Sequence, residues 1–144
     1  MDVNFSDQTT TNLFNYDQVL LTKESRSIHI RLAYLSGIEP DDPSSISLEP
    51  KLAPIDGETK KFVALSYCWG DDKPTVPIAV NNSGRLLVTP SLSHAILHLR
   101  RRETIRLLPI WIDQICIDQA SKDEQSAQVP LIGKIYKRAV EVFI

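Results

Sequence analysis

Phe62-Val-Ala-Leu-Ser-Tyr-Cys-Trp-Gly70 is a nearly unbroken apolar run that ends in a tryptophan, a glycine and then Asp71 and Asp72. Such a run reads as a strand near the centre of a sheet covered on both faces, with Gly70 to Pro74 as its exit loop. A second block, Trp111-Ile-Asp-Gln-Ile-Cys-Ile-Asp-Gln119, has the same form, and Leu107 to Ile117 reads as a second buried strand. Between them, Pro77 to Val80 and Leu86 to Val88 flank the turn-rich Asn81-Asn-Ser-Gly-Arg85, which predicts a small hairpin. Thr89-Pro90 then supplies a helix N-cap followed by proline at the first helical position. Leu92, Ala95, Ile96 and Leu99 fall on one face of that helix, and Arg100 to Arg102 close it.

After the second strand, Ser121-Lys-Asp-Glu124 has capping-box spacing and opens another helix. Pro130 lies inside that helical pattern, so a kink or restart is expected near Val129. Val140 to Ile144 begins a further strand. Working back from Phe62, Gly37 to Ser45 is a loop by turn chemistry and Ile28 to Leu35 a strand. Residues 1–27, rich in Thr, Asn, Asp and Ser, read as a weakly ordered lead-in to a domain over 28–144. The alternation of strands and helices predicts an α/β fold with a mostly parallel sheet, flanking helices and a β-hairpin insertion.

Bulk properties exclude several classes of function. A net charge of −2 gives no global attraction to nucleic acid or acidic membranes. No apolar run approaches a membrane span, and Met1 to Asp7 lack the basic flank and apolar core of an export signal, so a cytoplasmic protein is expected. Cys68 and Cys116 are far apart and show no CxxC pairing. With five glycines in the chain, no phosphate-cradling motif is present, and no cofactor is expected.

Ligands in α/β sheets bind beyond the carboxyl ends of strands. Trp69, Gly70 and Asp71 follow the first strand, and Asp113, Asp118 and Gln119 lie on and after the second, so these residues form the expected ligand or partner surface. The plainer reading is that Trp69 packs, Gly70 turns, the aspartates are solvated and Asp113 makes a structural hydrogen bond. His94 and His98 share one helical face, but no third ligand is identifiable in sequence, so no metal is expected.

Taken together, the blocks resemble the heterokaryon incompatibility (HET) domain of filamentous fungi. Ala64-Leu-Ser-Tyr-Cys-Trp-Gly70 and Trp111-Ile-Asp-Gln-Ile-Cys116 match two elements of that family, and Gln128-Val129 with Ile135-Tyr136 and Ala139 a third. The chain departs from the pattern at Phe62, which stands in place of Tyr, at Asp118, in place of Asn, and at Gln125, in place of Arg; Pro130 is a further departure. The resemblance adds Gln128 to the expected surface. It implies an effector of fungal non-self recognition that triggers regulated cell death through self-association or another death-signalling protein. It further implies a distant likeness to Toll/interleukin receptor (TIR) domains and their flavodoxin-like sheets, with NAD cleavage as the alternative activity and a nucleotide as the alternative partner. Asp113, Asp118 and Glu124 are the carboxylates available for that chemistry. The family pattern continues past residue 144, which implies a domain incomplete at its C-terminus.

Overall fold

The structure, a computed structural model, describes residues 14–37, 46–56, 60–66, 73–80 and 84–144. Strands β1 (His29–Gly37), β2 (Ile46–Pro54), β3 (Val63–Leu65), β4 (Val76–Val80) and β5 (Gly84–Val88) come first. Helices α1 (Pro90–Leu99) and α2 (Glu103–Leu107) follow, then β6 (Ile110–Ile112), the single turn α3 (Asp113–Cys116), α4 (Lys122–Gln128), α5 (Ile132–Arg138) and β7 (Glu141–Phe143). The seven strands form one sheet in the order β5-β4-β2-β1-β6-β3-β7.

The fold is α/β, but the sheet is mixed rather than mostly parallel. β3 runs parallel to β6 and β7, and β2 parallel to β4, whereas β1–β2, β1–β6 and β4–β5 are antiparallel. The long β1–β2 ladder, from His29↔Pro54 to Gly37↔Ile46, makes antiparallel pairing dominant. Its cause is connection length: strands joined by a short turn-forming segment fold back on each other, while parallel neighbours need a crossover of a dozen or more residues. β2 was not anticipated because Pro50 and Pro54 argue against a strand interior. Pro50 is accommodated because the β4 contact of β2 involves Ser47 and Leu48, and among the described residues no strand pairs with β2 on that side at the proline.

The apolar run that opens at Phe62 forms a buried strand over Val63–Leu65, second from the edge of the sheet, and residues 67–70 lie outside the described residues. Phe62, Val63 and Ala64 are fully buried, and β3 has β6 on one side and β7 on the other. The run from Leu107 to Ile117, by contrast, is not one strand. Leu107 ends α2 and is 70% exposed, extended pairing is confined to Ile110–Ile112, and the chain then turns once as α3. A short apolar run does not distinguish a buried strand from a buried helical turn. Here the turn is held by the Ile112 N–H, which donates to Cys116 Sγ at 3.4 Å, and the Ile117 N–H, which donates to the Asp113 carbonyl at 3.3 Å.

The hairpin is β4–β5, although Asn81 to Ser83 lie outside the described residues. In α1 the Thr89 hydroxyl accepts from the Leu92 N–H, and Leu92, Ile96 and Leu99 are buried. Ser121 caps α4 by accepting from the Glu124 N–H at 3.2 Å. Pro130 divides the next helical stretch: α4 ends at Gln128, a 3-10 turn spans Val129–Leu131, and α5 restarts at Ile132. Part of the segment read as a lead-in belongs to the core. Phe14 and Leu21 are buried, and the Phe14 N–H donates to the Arg85 carbonyl at 2.8 Å. Among the described residues no helix is long and apolar enough to cross a membrane.

Phe62 is fully buried where β3, β7 and the end of α5 meet, its carbonyl accepting from the Val140 N–H at 2.8 Å. Phe62→Ala should destabilise the chain by about 3–5 kcal/mol in urea unfolding, and a loss under about 1 kcal/mol would place this side chain outside the core.

Candidate functional site

Arg31 sits between Ile30 and Leu32 in β1 and is fully buried. An ionised group there needs a partner of opposite charge. That partner is Glu124 in the first turn of α4: Arg31 Nη1 donates to Oε2 at 2.6 Å and Nη2 to Oε1 at 2.7 Å, a bidentate pair. The rest of the guanidinium is used as well, since Nε donates to the Val19 carbonyl at 2.9 Å and Nη1 to the Cys116 carbonyl at 3.0 Å. Its central carbon Cζ lies over the Tyr16 ring, 4.7 Å from the ring centre. Glu124 Oε2 also accepts the Asp118 N–H at 2.5 Å. Both carboxylate oxygens are therefore committed inside the protein, and Glu124 is placed as a structural group.

Gln128, one turn further along α4, has a related position. Its side-chain N–H groups donate to the Arg26 carbonyl at 2.7 Å and the His29 carbonyl at 2.8 Å. It is fully buried and fastens the segment before β1 to α4. Its Oε1 and His29 Nδ1 have no hydrogen-bond partner among the described residues.

The loop after α3 behaves differently. Asp118 is half-buried, and its Oδ1 accepts from the Ala120 N–H at 3.1 Å, a tight local turn. Gln119 is exposed and donates to the carbonyls of Asp113 at 2.9 Å and Ile117 at 3.1 Å, while Gln125 donates to its Oε1 at 2.9 Å. Asp118 and Gln119 line a cleft of about 280 Å³ together with Gln114, Phe14, Tyr16 and Leu86. Gln114 is buried there because its Oε1 accepts from the Thr89 N–H at 2.8 Å, tying α3 to the start of α1. Phe14 and Tyr16 meet edge to face at 5.1 Å, and the Tyr16 hydroxyl donates to the Ile115 carbonyl at 2.7 Å. Burial raises the Tyr16 pKa well above the ordinary phenol value, so this hydroxyl stays protonated.

The structure thus brings Asp118 and Gln119 together at an apolar cleft. It places Asp113 behind them, where its carbonyl supports Gln119, and Glu124 and Gln128 in the scaffold. Trp69, Gly70 and Asp71 lie outside the described residues, as does Cys68. Phe14, Tyr16, Leu86 and Gln114 line the cleft although the sequence did not single them out. Arg31 carried a signal of its own, a charge inside an alternating apolar strand. Cys116 is fully buried, and burial pushes its thiol from the ordinary 9.0 up to about 12. It is inert as a nucleophile, because the thiolate is the reactive form.

The family described as Heterokaryon incompatibility protein (HET) matches residues 62–144, from β3 to the end of the chain. Heterokaryon incompatibility protein 6, OR allele, of Neurospora crassa is 37% identical over 143 residues, covering 92% of this chain and 20% of that protein. The chain therefore spans about one fifth of the length of this curated relative. No solved structure matches the chain.

Two outcomes test the geometry. Arg31→Met leaves Glu124 buried without a counter-charge and should cost about 3–5 kcal/mol, whereas Arg31→Met with Glu124→Leu should recover most of that loss. Additive losses in urea unfolding would show that the two side chains are not coupled. Cys116 should resist thiol alkylation in the native chain and label only on unfolding, followed by peptide mapping. Because its folded pKa is raised, its contribution to stability is complete below about pH 9 and is lost as pH rises toward about 12.

Proposed function

This chain belongs to the heterokaryon incompatibility (HET) family, and we propose that it acts in fungal non-self recognition as an effector of regulated cell death, working in the cytoplasm through self-association or binding to another death-signalling protein. The observation that carries this reading is the family match across β3 to β7, reinforced by the Neurospora relative. The geometry favours binding over chemistry. Glu124 is consumed by Arg31, Cys116 is inert, and the accessible polar groups of the cleft are the Asp118 carboxylate and the Gln119 amide beside Phe14, Tyr16 and Leu86. An apolar concavity with a few fixed polar groups suits recognition of a partner side chain or a small ligand.

The alternative reading is TIR-like cleavage of NAD. One observation favours it: Asp118 is a half-buried carboxylate at the cleft, where it could stabilise the positive charge that develops on a ribosyl group as nicotinamide leaves. The flavodoxin-like likeness has the parallel trio β6-β3-β7 in its support.

Induced expression of the chain in a fungal host, with viability and cellular NAD followed together, separates the two. Death with NAD intact, unchanged in Asp118→Asn, supports effector action by assembly. A fall in NAD that precedes death and vanishes in Asp118→Asn, which should reduce turnover by a factor of about 100 or more, supports the enzyme. Full viability at a verified expression level would count against the effector role.

A further inference from the structure

On the exposed face of α1, His94 and His98 bring their Nε2 atoms to 3.1 Å, with ring centres 4.6 Å apart and planes at 79°. Residues four apart on a helix are neighbours, so their side chains can meet. These two converge through the same ring nitrogen.

The distance has a chemical meaning. A metal ion bonded to two imidazole nitrogens at about 2.0–2.1 Å, with the nitrogens as far apart as they are here, would subtend an angle of roughly 95–100°. That lies between the octahedral and tetrahedral values. As a hydrogen bond, the same contact requires one ring to present N–H and the other a lone pair. A divalent ion takes the Nε2 lone pair of both rings, and the proton that the two shared moves to the Nδ1 of its own ring.

We propose that His94 and His98 form a two-histidine chelate for a divalent transition-metal ion of the imidazole-preferring class, Zn²⁺, Ni²⁺ or Cu²⁺. Among the described residues no group of three or more His, Cys, Asp or Glu is placed to hold a metal, so the protein supplies two ligands and water completes the shell. His98 lies in the last turn of α1, where the negative end of the helix dipole favours a cation. It also lines a groove between α1 and β7, together with Arg102, Glu141 and Phe143. An ion bridging residues 94 and 98 clamps the helical turn that forms one wall of that groove.

The chain contains three histidines, and the third, His29, is in β1, so the assignment can be made residue by residue. Untagged protein would be titrated with Zn²⁺ alone, and then Ni²⁺, by calorimetry in a non-chelating buffer, with thermal unfolding recorded alongside. One bound equivalent and a rise in Tm are expected. Affinity should fall roughly tenfold or more in His94→Ala and in His98→Ala, both of which place a strong helix former on an exposed face. His98→Gln keeps a hydrogen-bonding partner for His94 but should lose the metal just as fully, separating coordination from hydrogen bonding. No binding by the unsubstituted chain, or binding unchanged by these substitutions, would overturn the proposal.

Discussion

The Arg31–Glu124 pair is the interaction on which the rest of the arrangement depends. It joins the chain before β1, β1 itself, the end of α3 and the start of α4 through one guanidinium and one carboxylate. Ionised groups of this size lose several kcal/mol each on leaving water, so the pair is tolerated only with near-complete hydrogen bonding. That condition is met from four directions: the Val19 and Cys116 carbonyls, the Asp118 N–H and the bidentate contact. A geometry this constrained has little freedom to slide. The 117–121 loop, whose Asp118 amide ends on Glu124, inherits its position from a pair formed beneath it.

The same pair explains which part of the candidate site was legible. Asp118 and Gln119 were recognisable because polar groups directly after an apolar run stand out, and such groups collect where a buried element ends. Glu124 looked like a third member of that group by proximity along the chain. Its use was decided by Arg31, 93 positions away in sequence, which no local pattern connects to it. Burial of a charge is a pairwise fact, and sequence displays only one partner at a time. The cleft lining had the same difficulty: Phe14 and Tyr16 come from a segment whose composition is polar, and Leu86 from a hairpin that reads as an insertion.

For the fold, local chemistry was readable wherever one residue has one dominant preference. Thr89-Pro90 started α1, Ser121 capped α4 and Pro130 split the helix that followed. Strand direction was not readable, because alternating strands and helices suit parallel and mixed sheets alike until the partner of β1 is known. That partner, β2, contains two prolines, and its ladder with β1 makes the sheet mixed. The length of the second apolar block misled for a related reason: burial of Ile112, Ile115, Cys116 and Ile117 is met by one strand end and one helical turn as well as by a continuous strand.

One of the positions at which this chain departs from the family pattern, Asp118, gains a definite meaning in this setting. At Asp118 the family resemblance has an amide. The two contacts that fix residue 118 are its backbone N–H, given to Glu124, and an acceptor oxygen, taken by the Ala120 N–H. Asparagine supplies both equally well, since its carbonyl oxygen replaces Oδ1 and its backbone is the same. The exchange therefore leaves the loop in place and alters what the cleft presents, an acceptor-only carboxylate where an amide would also donate. Framework and surface chemistry are separable at this residue: Arg31 and Glu124 hold the loop, and the side chain at 118 sets the charge that the cleft presents.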